Sequence, residues 1–222
     1  MNIWLASGNT HKKLELEAIF RTKGGGRDTV IKVPADAGID NFDPPETGSS
    51  FMENALIKAR SLYRLLKEKQ PSSFRDGEPV LADDSGLCVE ALEGRPGIFS
   101  ARYGAQDGRK PEAAERNALL LEELAACLES LPPEKQNRKA HFVCAMVLYY
   151  SEERFFIAQE TFEGELVDTI GSGRGSGGFG YDPILYIPSC GRTVAELSED
   201  EKNAVSHRGR AGKAIAGFLA SR

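Results

Sequence analysis

Long apolar runs are missing from this chain of 222 residues. No stretch approaches the roughly 20 consecutive apolar residues that a membrane-spanning helix needs. The opening residues MNIWLASGNT also lack the basic start and apolar core of a secretion signal. We therefore expect neither a membrane protein nor a secreted one, and we interpret the N-terminus as the first strand of the fold.

Cysteine is scarce and shows no pairing pattern. The four cysteines are far apart and form no C-x-x-C motif: Cys88, Cys127, Cys144 and Cys190. This usage argues against a disulfide framework and predicts reduced, mostly buried thiols, as is typical of a cytoplasmic protein.

An excess of positive charge is absent as well, since the formal net charge is −5. That balance argues against broad electrostatic binding to nucleic acid. It leaves room for a small anionic ligand, whose site needs only a few cations in one place. The length and ordinary composition fit either one large domain over residues 1–222 or two compact lobes, which the sequence does not separate.

Two common nucleotide-binding motifs are missing. No G-x-x-x-x-G-K-[ST] occurs and no G-x-G-x-x-G opens a helix after the first strand, which argues against a P-loop NTPase and a Rossmann dehydrogenase. The glycine-rich stretch GSGRGSGGFG at 171–180 leads into an extended piece rather than a helix. A phosphate loop of the usual kind is therefore not expected there.

Strands and helices alternate in the first part of the chain, whereas two strands follow each other in the middle. The apolar spacing predicts strands at 2–7, 29–33, 80–86, 139–150, 154–164 and 184–187, helices at 10–20, 50–66, 111–130 and 207–220, and a turn at 24–28. Ser50 and Glu53 fit an S-x-x-E capping box for the second helix. The two middle strands are expected to pair antiparallel, so the sequence predicts an α/β fold with a mixed central sheet flanked by helices.

Two adjacent acids, Asp83 and Asp84, follow the apolar run PVLA and precede a Ser-Gly dipeptide. Neighbouring residues on a strand point to opposite faces, so only one of them faces a given site unless the chain turns at Ser-Gly. The pair is either a turn former or a site for a hard cation such as Mg²⁺, which takes oxygen ligands. Glu46, in the proline-rich loop ahead of the second helix, is the candidate second ligand.

Lys58 falls inside the apolar face of the second predicted helix. It comes seven positions after Phe51, which places it about 20° away at 100° per residue. A lysine in an apolar stripe is rarely buried without a partner. Lys58 therefore either extends to the surface or reaches an anion at the edge of the core.

Two further segments are candidate anion sites. SGNTHK at 7–12 places free amides at a helix N-terminus, with Lys12 in the first turn, and such a terminus suits a phosphate. EKNAVSHRGRAGKA at 201–214 gathers basic residues at the start of the last helix, where positive charge opposes the helix dipole. Either that face is solvated or a bound anion balances it.

Five segments of the chain match one family in order. They are SGNTHK (7–12), ETGSSFMENALIKAR (46–60), LADDSGL with PGIFSARY (81–87 and 96–103), GGFGYDPI (177–184) and AELSEDEKNAVSHRG (195–209). Together they cover nearly the whole chain and resemble the inosine triphosphate pyrophosphatase family, the bacterial-type dITP/XTP pyrophosphatases.

The resemblance implies a fold and a reaction. The fold would be an elongated, two-lobed α/β structure with the active site in the cleft between the lobes, forming a homodimer. The reaction would be Mg²⁺-dependent hydrolysis of a purine nucleoside triphosphate to the monophosphate and pyrophosphate. The expected substrates are the deaminated inosine, deoxyinosine and xanthosine triphosphates.

The resemblance also implies roles for individual positions. Asp84 would be the catalytic base and a metal contact, with Asp83 beside it and Glu46 as the other metal-associated acid. The phosphate chain is assigned to Ser7, Gly8, Asn9, Thr10, His11, Lys12, Lys58, Ser85 and Lys202. The base is assigned to Phe179, which stacks on the purine, together with Gly180, Tyr181, Asp182, His207 and Arg208.

Base choice is expected to depend on position 6 of the purine. Donors from His207 or Arg208 meet the oxygen of hypoxanthine and xanthine there, whereas the amino group of adenine leaves them unpaired. The glycine stretch then delivers Phe179 and Asp182 to the base, and Arg174 has no assigned role.

Other functions remain open at this stage. One is a non-catalytic nucleotide-binding module, which has no need of Asp84 or Glu46. Another is a sister-fold pyrophosphatase for modified pyrimidine or methylated nucleotides. A nucleic-acid-binding protein is disfavoured by the net charge.

Overall fold

A computed structural model describes residues 1–22, 29–69, 71–75, 77–106, 109, 111–169 and 179–221. Two features discussed above lie outside them. These are the predicted turn at 24–28 and the glycine stretch over 171–178, which includes Arg174.

Each predicted strand and helix has a counterpart in the structure. The strands are β1 (Asn2–Leu5), β2 (Val30–Lys32), β3 (Val80–Val89), β4 (Lys139–Ser151), β5 (Arg154–Leu166), β6 (Leu185–Ile187) and β7 (Arg192–Thr193). The helices are α1 (Thr10–Thr22), α2 (Phe51–Lys69), α3 (Ala113–Ser130), α4 (Glu199–Val205) and α5 (His207–Ala220). The sequence missed β7, α4 and several short 3-10 helices, because each is too short to show a periodic apolar pattern. In the described part of the chain, no helix combines the length and apolar character needed to cross a membrane.

The described strands form one seven-stranded sheet in the order β2-β1-β3-β4-β5-β6-β7. β1 runs parallel to β2 and β3, whereas β6 runs antiparallel to β5 and β7. The neighbours β4 and β5 are joined by only two residues, a connection that an antiparallel pair allows and a parallel pair does not. The predicted mixed sheet is confirmed.

The chain divides into two compact units. The first unit comprises Met1–Asp84, Cys144–Glu160 and Ser206–Arg222, and the second comprises Ser85–Val143 and Thr161–Val205. Neither unit is a continuous stretch of sequence. That one domain covers the whole chain stays a prediction.

In the first unit, apolar side chains cover both faces of the sheet. Ile3 and Leu81 pack with residues of α1 and α5, whereas Trp4 and Ala82 pack with residues of α2. Because side chains alternate along a strand, these sets define two faces, the α1/α5 face and the α2 face. Burial on both faces explains why these strands read as nearly continuous apolar runs.

The second unit has its own core. Leu120 and Leu124 of α3 pack in one cluster with Leu87 and Val89 of β3 and with Phe162 of β5. The amphipathic spacing of α3 therefore serves this core, and β3 contributes side chains to the cores of both units.

The strand that carries the two acids is longer than predicted. β3 continues through the Ser-Gly dipeptide to Val89, so Asp83 and Asp84 lie inside the strand and not at its end. The Leu87 N–H donates to Ser100 Oγ at 2.9 Å, and the buried Leu87 and Val89 hold this part of the chain extended. Tertiary packing thus overrides the turn preference of Ser-Gly.

The start of α2 forms half of the expected capping box. The Glu53 N–H donates to Ser50 Oγ at 3.2 Å, as predicted. The Glu53 carboxylate, however, accepts from the backbone and hydroxyl of Ser49 at 2.6 and 2.8 Å. The reciprocal bond is therefore made one residue earlier than the S-x-x-E pattern suggested.

Candidate active site

Strand alternation sends the two adjacent acids to opposite faces of the sheet. Asp83 accepts from Lys12 Nζ of α1 at 2.9 Å and from Arg208 of α5 at 3.4 Å. Asp84 accepts from Lys58 Nζ of α2 at 2.7 Å. Asp83 therefore belongs to the α1/α5 face and Asp84 to the α2 face, as expected for neighbours on a strand.

On the α2 face, one ammonium group joins two carboxylates. Lys58 Nζ lies 2.6 Å from Glu46 Oε1 and 2.7 Å from Asp84 Oδ1. The Lys58 side chain is only 13% exposed. We call Glu46, Lys58 and Asp84 the acid–lysine cluster. Of the two interpretations of Lys58, the structure supports the one in which it reaches an anion, and the anions are carboxylates of the protein itself.

The pKa values in this cluster are shifted by burial and by charge. Burial raises the pKa of Asp84; Lys58 opposes that shift and Glu46 adds to it, and the net pKa is above its ordinary value. Burial lowers the pKa of Lys58, but the carboxylates of Asp84 and Glu46 outweigh it and the net pKa is raised. Lys58 is therefore a permanent cation at neutral pH, beside a carboxyl group whose proton affinity is increased, as general bases often require.

On the α1/α5 face, four charged side chains form what we call the arginine network: Glu15, Lys12, Asp83 and Arg208. Arg208 donates to Glu15 at 2.6 Å in addition to Asp83. Burial alone would raise the pKa of Asp83, but Lys12 and Arg208 outweigh it and lower the pKa. The charge of Arg208 at the start of α5 is thus balanced by the buried carboxylate of Asp83 and the half-buried one of Glu15. This arginine therefore has partners within the protein itself.

The start of α1 is capped by its own sequence. Asn9 Oδ1 accepts from the amides of His11 and Lys12 at 2.9 and 3.2 Å, and Ser7 Oγ accepts from the Asn9 amide at 3.1 Å. The expectation of free amides at this helix start is therefore wrong for His11 and Lys12, because an Asn side chain at the N-cap occupies them. The neighbouring Gly8 and Thr10 are exposed.

A separate polar group lies in the second unit. Lys202 Nζ is 2.8 Å from Asp182 Oδ2 and 4.9 Å from the centroid of the Phe179 ring. The Phe179 N–H donates to the same carboxylate oxygen at 2.8 Å. The Phe179 ring remains accessible, with 42% of the residue exposed. We call these three residues the aromatic–lysine group, an arrangement in which a fixed cation sits beside an open aromatic ring.

The segment that carries Phe179 is anchored from two sides. Asn117 Nδ2 of α3 donates to the carbonyl oxygen of Gly180 at 3.0 Å. The Tyr181 hydroxyl donates to the carbonyl oxygen of Ser100 at 2.9 Å, and burial raises the pKa of Tyr181 to about 12. Tyr181 therefore holds the segment in the core of the second unit, although the sequence suggested contact with the base.

The structure regroups several of the predicted site residues. Asp83 does not join Asp84 and Glu46, because it points to the other face and is held by two cations. Lys202 was expected with Lys12 and Lys58, but it contacts the residues assigned to the base. Two other predicted residues have less distinctive surroundings: Ser85 is partly exposed on β3, and His207 is buried at the first position of α5.

Two residues of these groups were missed from the sequence. Asn54 is fully buried on α2 and donates to Asp84 Oδ2 at 3.4 Å. It lies four positions before Lys58, so the helical spacing that identified Lys58 also places Asn54 on the same face. Glu15 carried no comparable signal, because its partner Arg208 is distant in the sequence.

The acid–lysine cluster fits a magnesium ion better than a metal with an all-protein cage. Among the described residues, no group of three or more His, Cys, Asp or Glu side chains is placed to hold a metal. Glu46 and Asp84 nevertheless each place a carboxylate oxygen beside the same cation, the ammonium group of Lys58. Mg²⁺ is commonly held by one or two carboxylates together with water and substrate phosphates.

The fold and these groups define a class, an α/β protein with an open mixed sheet that carries paired acids and lysines. The chain belongs to the Ham1 family, whose sequence model matches residues 3–218. It is 44% identical over 219 residues to a dITP/XTP pyrophosphatase of Treponema denticola, covering 99% of this chain and 98% of that protein.

Solved structures show the same fold. A HAM1 protein from Coxiella burnetii superposes with a TM-score of 0.80 at 37% identity, over 100% of both chains. A nucleoside-triphosphatase, also named a dITP/XTP pyrophosphatase, from Mycobacterium abscessus gives a TM-score of 0.67 at 36% identity, over 99% of both chains.

Proposed function

We propose that this protein is a nucleoside triphosphate pyrophosphatase that hydrolyses deaminated purine nucleotides, namely ITP, dITP and XTP, to the monophosphate and pyrophosphate. The observation that carries the proposal is the acid–lysine cluster, in which a buried Asp84 with a raised pKa shares Lys58 with Glu46. The relatives named dITP/XTP pyrophosphatase supply the substrate class. In the cell, the reaction would remove damaged purine nucleotides from the precursor pool.

Asp84 is the proposed base of the reaction. Its carboxylate takes a proton from water, whose oxygen attacks the α-phosphorus; the bond from that phosphorus to the bridging oxygen breaks and pyrophosphate leaves. Lys58 stays charged and offsets the negative charge of the phosphate oxygens as that charge moves toward the leaving group. Glu46 and Asp84 are the residues that would hold Mg²⁺, which when bound neutralises and orients the triphosphate.

Phosphate binding is assigned further to the start of α1. Lys12 is paired with Asp83, yet 17% of its side chain remains exposed. The exposed Gly8 and Thr10 offer backbone and hydroxyl donors beside it. Ser7, Asn9, His11 and Ser85 remain part of the proposed phosphate site.

Base recognition is assigned mainly to the aromatic–lysine group. Phe179 offers an open ring for stacking, and Lys202 is a donor held beside it by Asp182. A donor of this kind pairs with the 6-oxo group of hypoxanthine and xanthine, whereas adenine presents an amino group. His207 and Arg208 stay proposed readers of the base edge, and Arg208 already donates to Glu15 and Asp83.

A homodimer in the cytoplasm is proposed with the activity. The four cysteines form no disulfide, which agrees with a reducing compartment. Sedimentation equilibrium of the full chain gives the oligomeric state directly, and a mass of one chain at micromolar concentration would exclude the dimer.

A substrate panel tests the proposed function. We expect ITP, dITP and XTP to be hydrolysed with Mg²⁺ at a higher kcat/KM than GTP, ATP or pyrimidine triphosphates, with pyrophosphate as the product. Preference for a pyrimidine or methylated nucleotide would favour the sister-fold alternative. Binding without turnover of any nucleotide would indicate the non-catalytic module.

Asp84→Asn tests the assigned base. Loss of a general base costs typically 10²- to 10⁴-fold in rate, and we expect a kcat loss of about that size for ITP. Asp168→Asn removes the same charge at an exposed position and serves as the matched control. Equal pyrophosphate release from both variants would remove Asp84 from the mechanism.

A further inference from the structure

We infer that Asn54 is a positioning residue that sets the arrangement of both acids in the acid–lysine cluster. One end of its amide holds the loop that carries Glu46, and the other end holds Asp84. The inference rests on the proposed function and adds a residue that the family resemblance did not assign.

The contacts of Asn54 use both ends of its side chain. Asn54 Oδ1 accepts from the Gly48 N–H at 2.8 Å, two residues after Glu46. Asn54 Nδ2 donates to Asp84 Oδ2 at 3.4 Å. The residue is fully buried, and a buried amide is costly unless its polar atoms are paired. These two contacts therefore account for an amide on the buried face of α2.

The loop approaches α2 too closely for any side chain at residue 48. A Cβ atom added to Gly48 would lie 2.7 Å from Glu53 Cβ and 2.8 Å from Asn54 Oδ1. The backbone of the loop therefore packs directly on the first turn of α2. Because only one residue separates Gly48 from Glu46, the contact with Asn54 limits where the Glu46 carboxylate can lie.

The Asp84 carboxylate is held in one orientation by two donors. Lys58 Nζ bonds Oδ1 and Asn54 Nδ2 bonds Oδ2, so the plane of the carboxylate is defined by both oxygens. Glu46 and Asp84 carry like charges and repel each other when both are ionised. A neutral amide that ties both elements maintains their approach without adding charge, which a Lys or Asp at this position cannot do.

Asn54→Asp is the direct test. The replacement is isosteric and retains the acceptor for the Gly48 N–H, but it presents an oxygen in place of the donor to Asp84. Misplacement of catalytic groups by about 1 Å costs on the order of 100-fold, so we expect kcat for ITP to fall about 10- to 100-fold with KM little changed. The Mg²⁺ concentration for half-maximal activity should rise. The increase in thermal midpoint that Mg²⁺ produces in the free enzyme should shrink.

Gly48→Ala tests the other end of the amide without altering Asn54. The added methyl group displaces the Glu46 loop, and we expect the same loss of kcat with KM little changed, even if Asn54→Asp fails to fold. Ser50→Ala is the matched control. Ser50 caps the same helix start by accepting from the Glu53 N–H, and it contacts neither Glu46 nor Asp84. It should lower the thermal midpoint and leave kcat and the Mg²⁺ dependence unchanged.

The outcomes separate the inference from the proposed function. The proposed role of Asn54 is wrong if the wild-type enzyme is active and both variants fold and keep the wild-type kcat and Mg²⁺ dependence. Equal losses of kcat in Ser50→Ala would also overturn it, since they would show a general effect of loosening α2. An inactive wild-type enzyme would instead contradict the proposed function itself.

Discussion

At the scale of single residues, the dipeptide Asp83-Asp84 shows how neighbours of one type acquire different properties. Alternation along β3 gives Asp83 two cations and a lowered pKa, whereas Asp84 shares one cation with a second acid and has a raised pKa. The first environment stabilises a permanent negative charge. The second suits a group that exchanges a proton.

Removal of the Asp83 charge should destabilise the fold. Asp83→Asn leaves Lys12 and Arg208 without their shared carboxylate, and loss of one partner of a buried ion pair typically costs about 3–5 kcal/mol. We expect a loss near the lower end, because Arg208 keeps Glu15 and Lys12 is partly exposed. Urea unfolding at pH 7 measures it. Asp168→Asn, at an exposed pair with Arg138, should change stability by less than about 0.5 kcal/mol.

The effect of Asp83→Asn should also depend on pH. The folded-state pKa of Asp83 lies below its unfolded value of about 3.9, so its stabilisation is complete above that pH and is lost as the pH falls toward the folded pKa. The difference in unfolding free energy between wild type and variant should therefore be constant near neutral pH and shrink below about pH 4. A difference that stayed constant through this acid range would contradict a lowered pKa.

At the scale of elements, glycines on one helix have opposite roles. A Cβ atom at Gly212 of α5 would lie 2.9 Å from Ile19 Cγ2 of α1, whereas one at Gly217 would meet nothing within 4 Å. The first glycine allows two helices to approach closely. The second is an exposed helix position where glycine only lowers helix propensity.

Alanine substitutions should separate these two roles. Gly217→Ala should stabilise the protein by about 0.5–1 kcal/mol through helix propensity and reduced unfolded-state entropy. Gly212→Ala gains the same propensity but overpacks against the stiff side chain of Ile19, at a cost of about 1–3 kcal/mol. Thermal or urea unfolding of both variants gives the comparison. Equal stabilisation by both would show that α1 and α5 are not in close contact.

Helices and strands were predicted accurately from the sequence where a regular apolar pattern extends over many residues. α5 has the predicted bounds, and α3 and β4 differ from prediction by at most two residues. Errors occurred where local preference and packing disagree: Ser-Gly did not end β3, and Ser49 replaced Ser50 as the partner of the Glu53 carboxylate. Both outcomes depend on contacts with residues that the local pattern does not contain.

At the scale of the whole molecule, each compact unit is assembled from separate stretches of chain. The α1/α5 face of the first unit needs Met146 and Leu148 from β4 and Ile215 from α5 in addition to residues before Asp84. Neither unit can therefore be cut out as one contiguous fragment.

A fragment of residues 1–84 should not fold alone. It contains α1 and α2 but lacks the β4, β5 and α5 residues that cover them, so too much apolar surface stays exposed. We expect no cooperative thermal transition by circular dichroism, whereas the full chain should show one. A cooperative transition in the fragment would show that residues 1–84 fold without the β4, β5 and α5 residues of the first unit.

The sequence by itself determined the α/β class and most element positions, because these depend on local periodicity, and its resemblance to a known family supplied the candidate site residues. Only the tertiary structure decided which of them meet: Asp84 with Lys58 and Glu46, Asp83 with Lys12 and Arg208, and Lys202 with Asp182 and Phe179. The physical reason is that these partners are separated along the chain by up to 125 residues, as for Asp83 and Arg208. Their approach is set by the order of the strands and the packing of the helices.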